Sequence, residues 1–268
     1  MKLGLCFSGG GARGAYQIGA CMALKEAGIL EHVDAFSGTS IGAANAALIA
    51  TNEVELVKKL WFDMPEETIY KTEGIFHRLL KERTKSIIHG FYEIDHLEEI
   101  LKENLDISKL REKEVYVTLS DGGDEDSGFT QLIKNTYRHY LLKDSKAVYV
   151  QLGEHEEEHI FKEIIASCSI PIVFAPTVID GKRYYDGGVY DNVPVKPLIE
   201  AGCDTIIVLH LDRLPYFYKY RYKDITFHTI KSWHSLGRHL KFESGHSANR
   251  YHLGYNDCKK YLETNQIL

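Results

Sequence analysis

The sequence predicts an α/β fold with a mostly parallel central sheet covered on both faces. Two observations predict it. Short apolar runs of strand character alternate with runs of helix character from the first residues onward, and a βαβ order calls for crossover connections and parallel pairing. The chain of 268 residues, 44% hydrophobic and 26% charged, is also long enough and ordinary enough to bury a substantial globular core.

The elements follow in order. Leu3 to Phe7 reads as a short buried strand that runs directly into a glycine cluster. Ala15 to Ala27 reads as a helix with Ile18, Cys21, Met22 and Leu24 on a buried side and Gly28 at its end. Val33 to Ser37 is the next strand. Ile41 to Thr51 is a helix whose alanines (Ala43, Ala44, Ala46, Ala47, Ala50) suit close packing on a sheet.

The middle is more helical and more charged. Asp95-His96-Leu97-Glu98 has the form of a capping box, with Leu97, Ile100, Leu101 and Leu105 along one face of the helix it would open. Val115 to Leu119 and Val148 to Leu152 return to strand character. The acidic stretches Asp121–Gly128 and Glu154–His159 read as solvated surface. A helix over Glu157–Cys168 precedes a hairpin over Thr177–Tyr185 that turns at Asp180-Gly181. Pro194 can open a helix ending at Gly202, and Thr205 to Leu211 is a last buried strand. After Leu211 the character changes. Leu214 to Lys223 mixes aromatics with Lys219, Arg221 and Lys223, either packing beneath the tail or lying at a lipid surface. The expected organisation is one domain over residues 1–211, with an appendage over 212–268 that packs on it or continues it.

Composition excludes some functions. A net charge of −6 argues against nucleic-acid binding, which shows a basic footprint. The five cysteines are scattered and form no Cys-x-x-Cys pair, so neither a disulfide framework nor a zinc site is indicated. No basic region followed by an apolar run marks a signal peptide, and no run approaches the ~18 apolar residues of a membrane span. A cytoplasmic protein is expected, with peripheral contact to a membrane surface as a second possibility.

Three segments carry the chemistry. Gly38-Thr39-Ser40-Ile41-Gly42 lies between a predicted strand and a predicted helix. A Gly-x-Ser-x-Gly turn in that context exposes a serine hydroxyl above the sheet edge; otherwise it is a Gly/Ser turn that caps a helix. The run Gly9, Gly10, Gly11, Ala12, Arg13, Gly14 can present successive N–H donors to a developing negative charge. Gly9, Gly11 and Gly14 also match a dinucleotide fingerprint, for which Asp34 stands at the spacing of the ribose-binding acid. Arg13 is a fixed charge or an ion-pair partner. Asp186, followed by Gly187 and Gly188, is either a common Asp-Gly turn or a carboxylate carried by a tight turn to a serine hydroxyl, where burial would raise its pKa enough to accept a proton.

Together, and in this order, these segments resemble the patatin-like phospholipase family. The resemblance extends through Ala166-Ser167-Cys168-Ser169-Ile170-Pro171 with Phe174 and Pro176, through Asp186 to Asn192-Val193-Pro194, and to the Leu97 helix. It covers roughly residues 1–211, and departs only at Ser169, where many relatives have alanine. It implies a three-layer α/β/α fold and hydrolysis of lipid acyl esters by a Ser–Asp dyad without histidine, metal or cofactor. By position, Ser40 would be the nucleophile and Asp186 its base. Backbone N–H groups of Gly10, Gly11 and Ala12 would form the oxyanion hole, supported by Gly9, Arg13, Gly14, Gly38, Gly42, Gly187 and Gly188. The expected partner is a lipid or another acyl ester. The alternatives are a serine esterase or thioesterase with a non-lipid acyl substrate, a His-containing triad drawing on His210 or a tail histidine, an idle lipid-binding module, and a nucleotide-binding protein that uses the glycine run.

Overall fold

The computed structural model describes residues 1–63, 91–124, 147–171, 174–212, 222–237 and 244–268, with backbone alone for 91–95, 124 and 244. The strands are β1 (Leu3–Phe7), β2 (Val33–Thr39), β3 (Glu114–Asp124), β4 (Ala147–Gln151), β5 (Thr177–Ile179), β6 (Lys182–Asp186), β7 (Thr205–His210) and β8 (Thr226–Lys231). The helices, numbered along the described residues, are α1 (Ala15–Glu26), α2 (Ile41–Thr51), α3 (Val54–Phe62), α4 (Phe91–Asn104), α5 (Ile107–Arg111), α6 (Glu157–Cys168), α7 (Lys196–Glu200) and α8 (Ser244–Leu262).

All eight strands belong to one sheet in the order β5-β6-β3-β2-β1-β7-β8, with β4 also paired to β3. The β3-β2-β1-β7-β8 run is parallel, β4 and β6 pair with β3 antiparallel, and β5 pairs antiparallel with β6. The sheet is covered on both faces because side chains alternate along each strand. Leu3, Leu5 and Phe7 of β1 and Ile207 and Leu209 of β7 face the larger core with α1, α2 and α6. Cys6, Ile206 and Val208 face the other side, against Val195 and Leu198 around α7. The result is a three-layer α/β/α arrangement. Tail residues take part: β8 extends the sheet, and Tyr222, Ile225 and Phe227 pack on the second core. No helix among the described residues is long and apolar enough to cross a membrane.

One feature of the sheet positions the site. Tyr116, Val117 and Thr118 pair with both β2 and β4, and Leu119 and Ser120 pair with both β4 and β6. β4 therefore occupies one edge of β3, while β2 and β6 share the other. Along that shared edge β2 runs parallel to β3 and β6 antiparallel, so their C-terminal ends meet head to head.

Several elements differ from the sequence expectation. Helix α4 already runs from Phe91, so Asp95 lies inside it and does not cap it; Phe91, Tyr92 and Ile94 continue the apolar pattern upstream of the capping-box letters. Asp121 to Asp124 are strand, with Asp121 and Asp124 paired to β6 across a register shift; the rest of that acidic stretch lies outside the described residues. Helix α7 starts at Lys196, with Pro197 rather than Pro194 in its first turn. The hairpin turns at Asp180 and Gly181, both at positive φ (49° and 73°), as a two-residue type I′ turn requires. Of the aromatic and basic stretch, 213–221 lies outside the described residues; Tyr222 is half-buried and Lys223 exposed.

Candidate active site

Three chain reversals converge where the strands end. β2 ends at Thr39, and Ser40 turns the chain into α2 with φ 56° and ψ −134°. A non-glycine residue held there costs roughly 1–3 kcal/mol, which the surroundings must enforce. They do so by close approach. A Cβ on Gly38 would lie 2.2 Å from the Gly42 carbonyl oxygen, and one on Gly42 would lie 2.4 Å from the Phe7 carbonyl oxygen. Only glycine fits at either position.

Asp186 is the last residue of β6. Its backbone N–H donates to the Ser169 carbonyl (2.9 Å), and its carbonyl accepts from Ser120 Oγ (2.8 Å). With the backbone so fixed, Asp186 Oδ2 accepts from Ser40 Oγ at 2.5 Å, although the two residues are 146 positions apart. Its other oxygen, Oδ1, accepts from the Gly188 N–H at 2.7 Å. Both residues are buried. Desolvation pushes the Asp186 carboxyl up to about 6 against the two hydrogen bonds, which favour the ionised form.

The seam between β2 and β6 is closed by Ser167, at the end of α6. Its hydroxyl donates to the Thr118 carbonyl (2.8 Å) and accepts from the Ser40 N–H (2.9 Å). Sequence reasoning gave Ser167 no role. Its only signal is its place in the Ala-Ser-Cys-Ser segment before Pro171.

The glycine run leaves the end of β1. The Gly9 N–H donates to the Asn192 carbonyl (3.1 Å), and Gly11 takes a positive φ of 55° at the start of a 3₁₀ turn over Gly11–Gly14. Below the run lies a buried polar chain. Trp61 Nε1 donates to Asn45 Oδ1 (2.9 Å), Asn45 Nδ2 donates to the Gly14 carbonyl (3.1 Å) and to Gln17 Oε1 (2.9 Å), and Gln17 Nε2 donates to the Ser8 carbonyl (2.8 Å). Arg13 pairs through Nη1 with Asp212 (3.0 Å) and donates through Nε to the Gly237 carbonyl (2.9 Å).

A cavity of about 340 Å³ opens between these segments. Gly9, Gly10, Gly11, Ser40, Asp186, Gly188 and Asn192 line it, with Ile170, Pro171 and Val189 as its apolar wall. Ala12 is buried outside that lining. No described histidine borders it. His210 Nδ1 lies 2.8 Å from the Asp212 carbonyl oxygen, and His228 Nδ1 lies 3.1 Å from the Tyr261 hydroxyl. Of the tail histidines, His239 lies outside the described residues. Asp34 does not serve the glycine run: it sits at the start of β2, at the opposite end of the parallel strands, where it accepts from the Leu3 N–H at 2.7 Å. The nucleotide alternative loses its ribose-binding acid. All five cysteines are buried and free.

Chemically, the arrangement offers a hydroxyl hydrogen-bonded to a desolvated carboxylate, beside a glycine loop that can donate backbone N–H groups. Known proteins resemble the chain in sequence and in fold. The profile of the patatin-like phospholipases matches residues 5–199. The chain is 25% identical over 219 residues to a protein named lysophospholipase NTE1 from Cryptococcus neoformans, a match covering 78% of this chain and 11% of that protein. It is 26% identical over 201 residues to mouse 1-acylglycerol-3-phosphate O-acyltransferase Pnpla3, covering 71% of this chain and 40% of that protein. The chain thus spans about a tenth of the length of the fungal relative and under half that of the mouse one. Among solved structures, VipD from Legionella pneumophila shares the fold, with a TM-score of 0.54, 14% identity, and coverage of 98% of this chain and 67% of that one.

Proposed function

The chain belongs to the patatin-like phospholipase family, and from that premise we propose that it is a lipid acyl hydrolase working through a Ser40–Asp186 dyad and an acyl-serine intermediate. The observation that carries the reading is the 2.5 Å hydrogen bond from Ser40 Oγ to Asp186 Oδ2 at the floor of the cavity. A carboxyl raised to about 6 is still largely ionised at neutral pH and is a better base than a solvated one.

In the first half-reaction Ser40 Oγ attacks the ester carbonyl carbon while its proton passes to Asp186 Oδ2. The carbonyl oxygen becomes an oxyanion, which N–H groups of Gly10 and Gly11, and that of Ala12 if the loop adjusts, stabilise without reorganising solvent. Collapse breaks the carbon–oxygen bond to the alcohol, which leaves with the proton from Asp186. In the second half-reaction water attacks the acyl-serine, giving up a proton to Asp186. The free acid departs and Ser40 Oγ recovers its proton. The apolar wall of Ile170, Pro171 and Val189 suits an acyl chain.

Fluorophosphonate labelling with intact-mass measurement tests this. A single adduct on the wild-type chain, absent in Ser40→Ala, with ester turnover lost in Ser40→Ala and Asp186→Asn, is expected. An adduct that persists in Ser40→Ala, or full turnover in Asp186→Asn, would overturn the dyad. A panel of phospholipids, lysophospholipids, neutral glycerides, thioesters and short water-soluble esters then separates lipid hydrolysis from the esterase and thioesterase alternatives.

A further inference from the structure

We propose that Arg250, on the C-terminal helix α8 and outside the segment that the family profile matches, is a positioning residue that sets the orientation of the oxyanion loop through two peptide units in series. This rests on the reading of the glycine run as the oxyanion hole.

Helix α8 lies against α1 at glycine-to-backbone distance. A Cβ on Gly19 would stand 1.9 Å from the Tyr251 carbonyl oxygen, and one on Gly254 would stand 1.9 Å from the Tyr16 carbonyl oxygen. The two glycines let the helices approach until their backbones touch, and Tyr16 Oη donates to Asp257 across the same contact (2.9 Å). So seated, α8 carries the buried side chain of Arg250 to the glycine run. Arg250 Nη1 donates to the Ala12 carbonyl (2.8 Å) and Nε to the Leu236 carbonyl (2.8 Å). A guanidinium is charged at every accessible pH, and its planar fork fixes the directions of these bonds.

The consequence runs through peptide planes. The Ala12 carbonyl and the Arg13 N–H belong to one peptide unit and point in opposite directions. That N–H donates to the Gly10 carbonyl (3.3 Å). The Gly10 carbonyl in turn shares a peptide unit with the Gly11 N–H, which is directed oppositely, and Gly11 borders the cavity. A fixed positive charge thus sits at one end of two head-to-tail peptide dipoles, with the Gly11 N–H at the other. In a buried setting such a chain is mutually polarised, which strengthens the last donor toward an anion.

Two further side chains tether the loop elsewhere. Arg13 ties it to Asp212 and Gly237, and Asn45 ties it to α2. Neither acts on the carbonyl that orients the Gly11 N–H. Leu236 and Gly237, held by Arg250 and Arg13 respectively, are adjacent in the tail, so the same short segment is tied to both arginines.

The test compares the full chain with Arg250→Met and Arg250→Gln, reading hydrogen exchange in the peptide spanning Gly9–Arg13 together with kcat, KM and the acid limb of the pH profile on a short p-nitrophenyl ester. Arg250→Met should speed exchange in the loop at least about tenfold and lower kcat about ten- to a hundredfold. KM should stay within about twofold, and the pH midpoint should not move, since Asp186 is untouched. Arg250→Gln, polar but too short to span both carbonyls, serves if the Met variant does not fold. A folded variant with wild-type loop exchange and wild-type kcat would overturn the proposal. So would a fall in activity that only tracks the unfolded fraction. If the wild-type chain neither turns over esters nor takes a fluorophosphonate, the hydrolase reading fails, while loop exchange still decides whether Arg250 holds the loop.

Discussion

Thr39 and Asp186 stand at consecutive registers on the same edge of β3, Thr39 opposite Thr118 and Asp186 opposite Leu119. Two strands running in opposite directions end there against each other, and each releases its chain into a tight turn at the same point above the sheet. The meeting of Ser40 and Asp186 is therefore a property of sheet register. A one-residue slip of β2 or β6 would move its end by about 3.3 Å along β3 and turn its side chains to the other face. Backbone pairing fixes this geometry before either side chain chooses a rotamer.

Ser167 is the peg at that seam. Between the end of β2 and the end of β6 the Ser167 hydroxyl bridges the strands, donating to the Thr118 carbonyl and accepting from the Ser40 N–H (2.8 and 2.9 Å). Ser167→Ala should remove two buried hydrogen bonds, costing about 1–3 kcal/mol of stability, and lower kcat about tenfold or more by loosening the Ser40 turn. Thermal unfolding and steady-state kinetics on the same preparation check it. A variant with unchanged midpoint and unchanged kcat would show that the peg is idle.

Asp186 must be ionised to accept the Ser40 proton, and burial raises it to about 6. Activity should therefore be present above about pH 6 and fall tenfold per pH unit below it, as the base protonates. A limb near 4 would mean a solvated carboxyl. Histidine titrates close by, so the control is His210→Gln, whose own pKa is lowered by burial in the wild-type chain. It should leave the limb where it was; a limb that disappears would revive the triad.

The elements that were legible in the sequence are those with local causes. The Ile41–Thr51 helix, the Glu157–Cys168 helix and the Asp180-Gly181 hairpin follow from small-residue content, apolar periodicity and turn chemistry within a few residues. The glycines around Ser40 were legible for the same reason: a backbone clash is a local event. What was not legible depends on distant pairing. Nothing near Val115 says that β3 will carry β2 and β6 on one edge and run on to Asp124. Nothing near Ser167 marks it as the hydroxyl that bridges β3 to the Ser40 turn. Arg250 sits in a polar tail helix whose use of it is decided by Gly19 and Gly254, residues of two helices far apart in sequence.

A buried carboxylate also carries a cost in stability. The folded-state pKa of Asp186 is about 6 against an ordinary 3.8. The native chain therefore holds its proton more tightly than the unfolded one, and stability declines as pH rises between those values. By the usual conversion this amounts to about 3 kcal/mol, fully developed above about pH 6 and gone below about pH 4. Asp186→Asn keeps the acceptor for the Gly188 N–H and removes the charge. It should be inactive yet more stable than the wild type at pH 7.5, with the gain vanishing at pH 4. Denaturant midpoints at the two pH values decide it; a variant less stable than wild type at pH 7.5 would mean that the Ser40 hydrogen bond outweighs the desolvation.

Gly42→Ala tests how rigidly the elbow is enforced. The added methyl would meet the Phe7 and Ser8 carbonyl oxygens at 2.4 and 2.7 Å. Both belong to the end of β1 and the start of the glycine run, and as backbone they cannot swing aside. Relief requires α2 to lift from the sheet or the run to shift, and either moves Ser40 relative to Asp186. The expected result is a loss of about 3 kcal/mol or more with no fluorophosphonate adduct. Gly245→Ala, in the first turn of α8 with nothing within 4 Å of the new methyl, is the matched control and should be neutral or gain up to about 1 kcal/mol from helix propensity. A Gly42→Ala chain as stable and as readily labelled as that control would mean that the turn at Ser40 can open without disturbing the dyad.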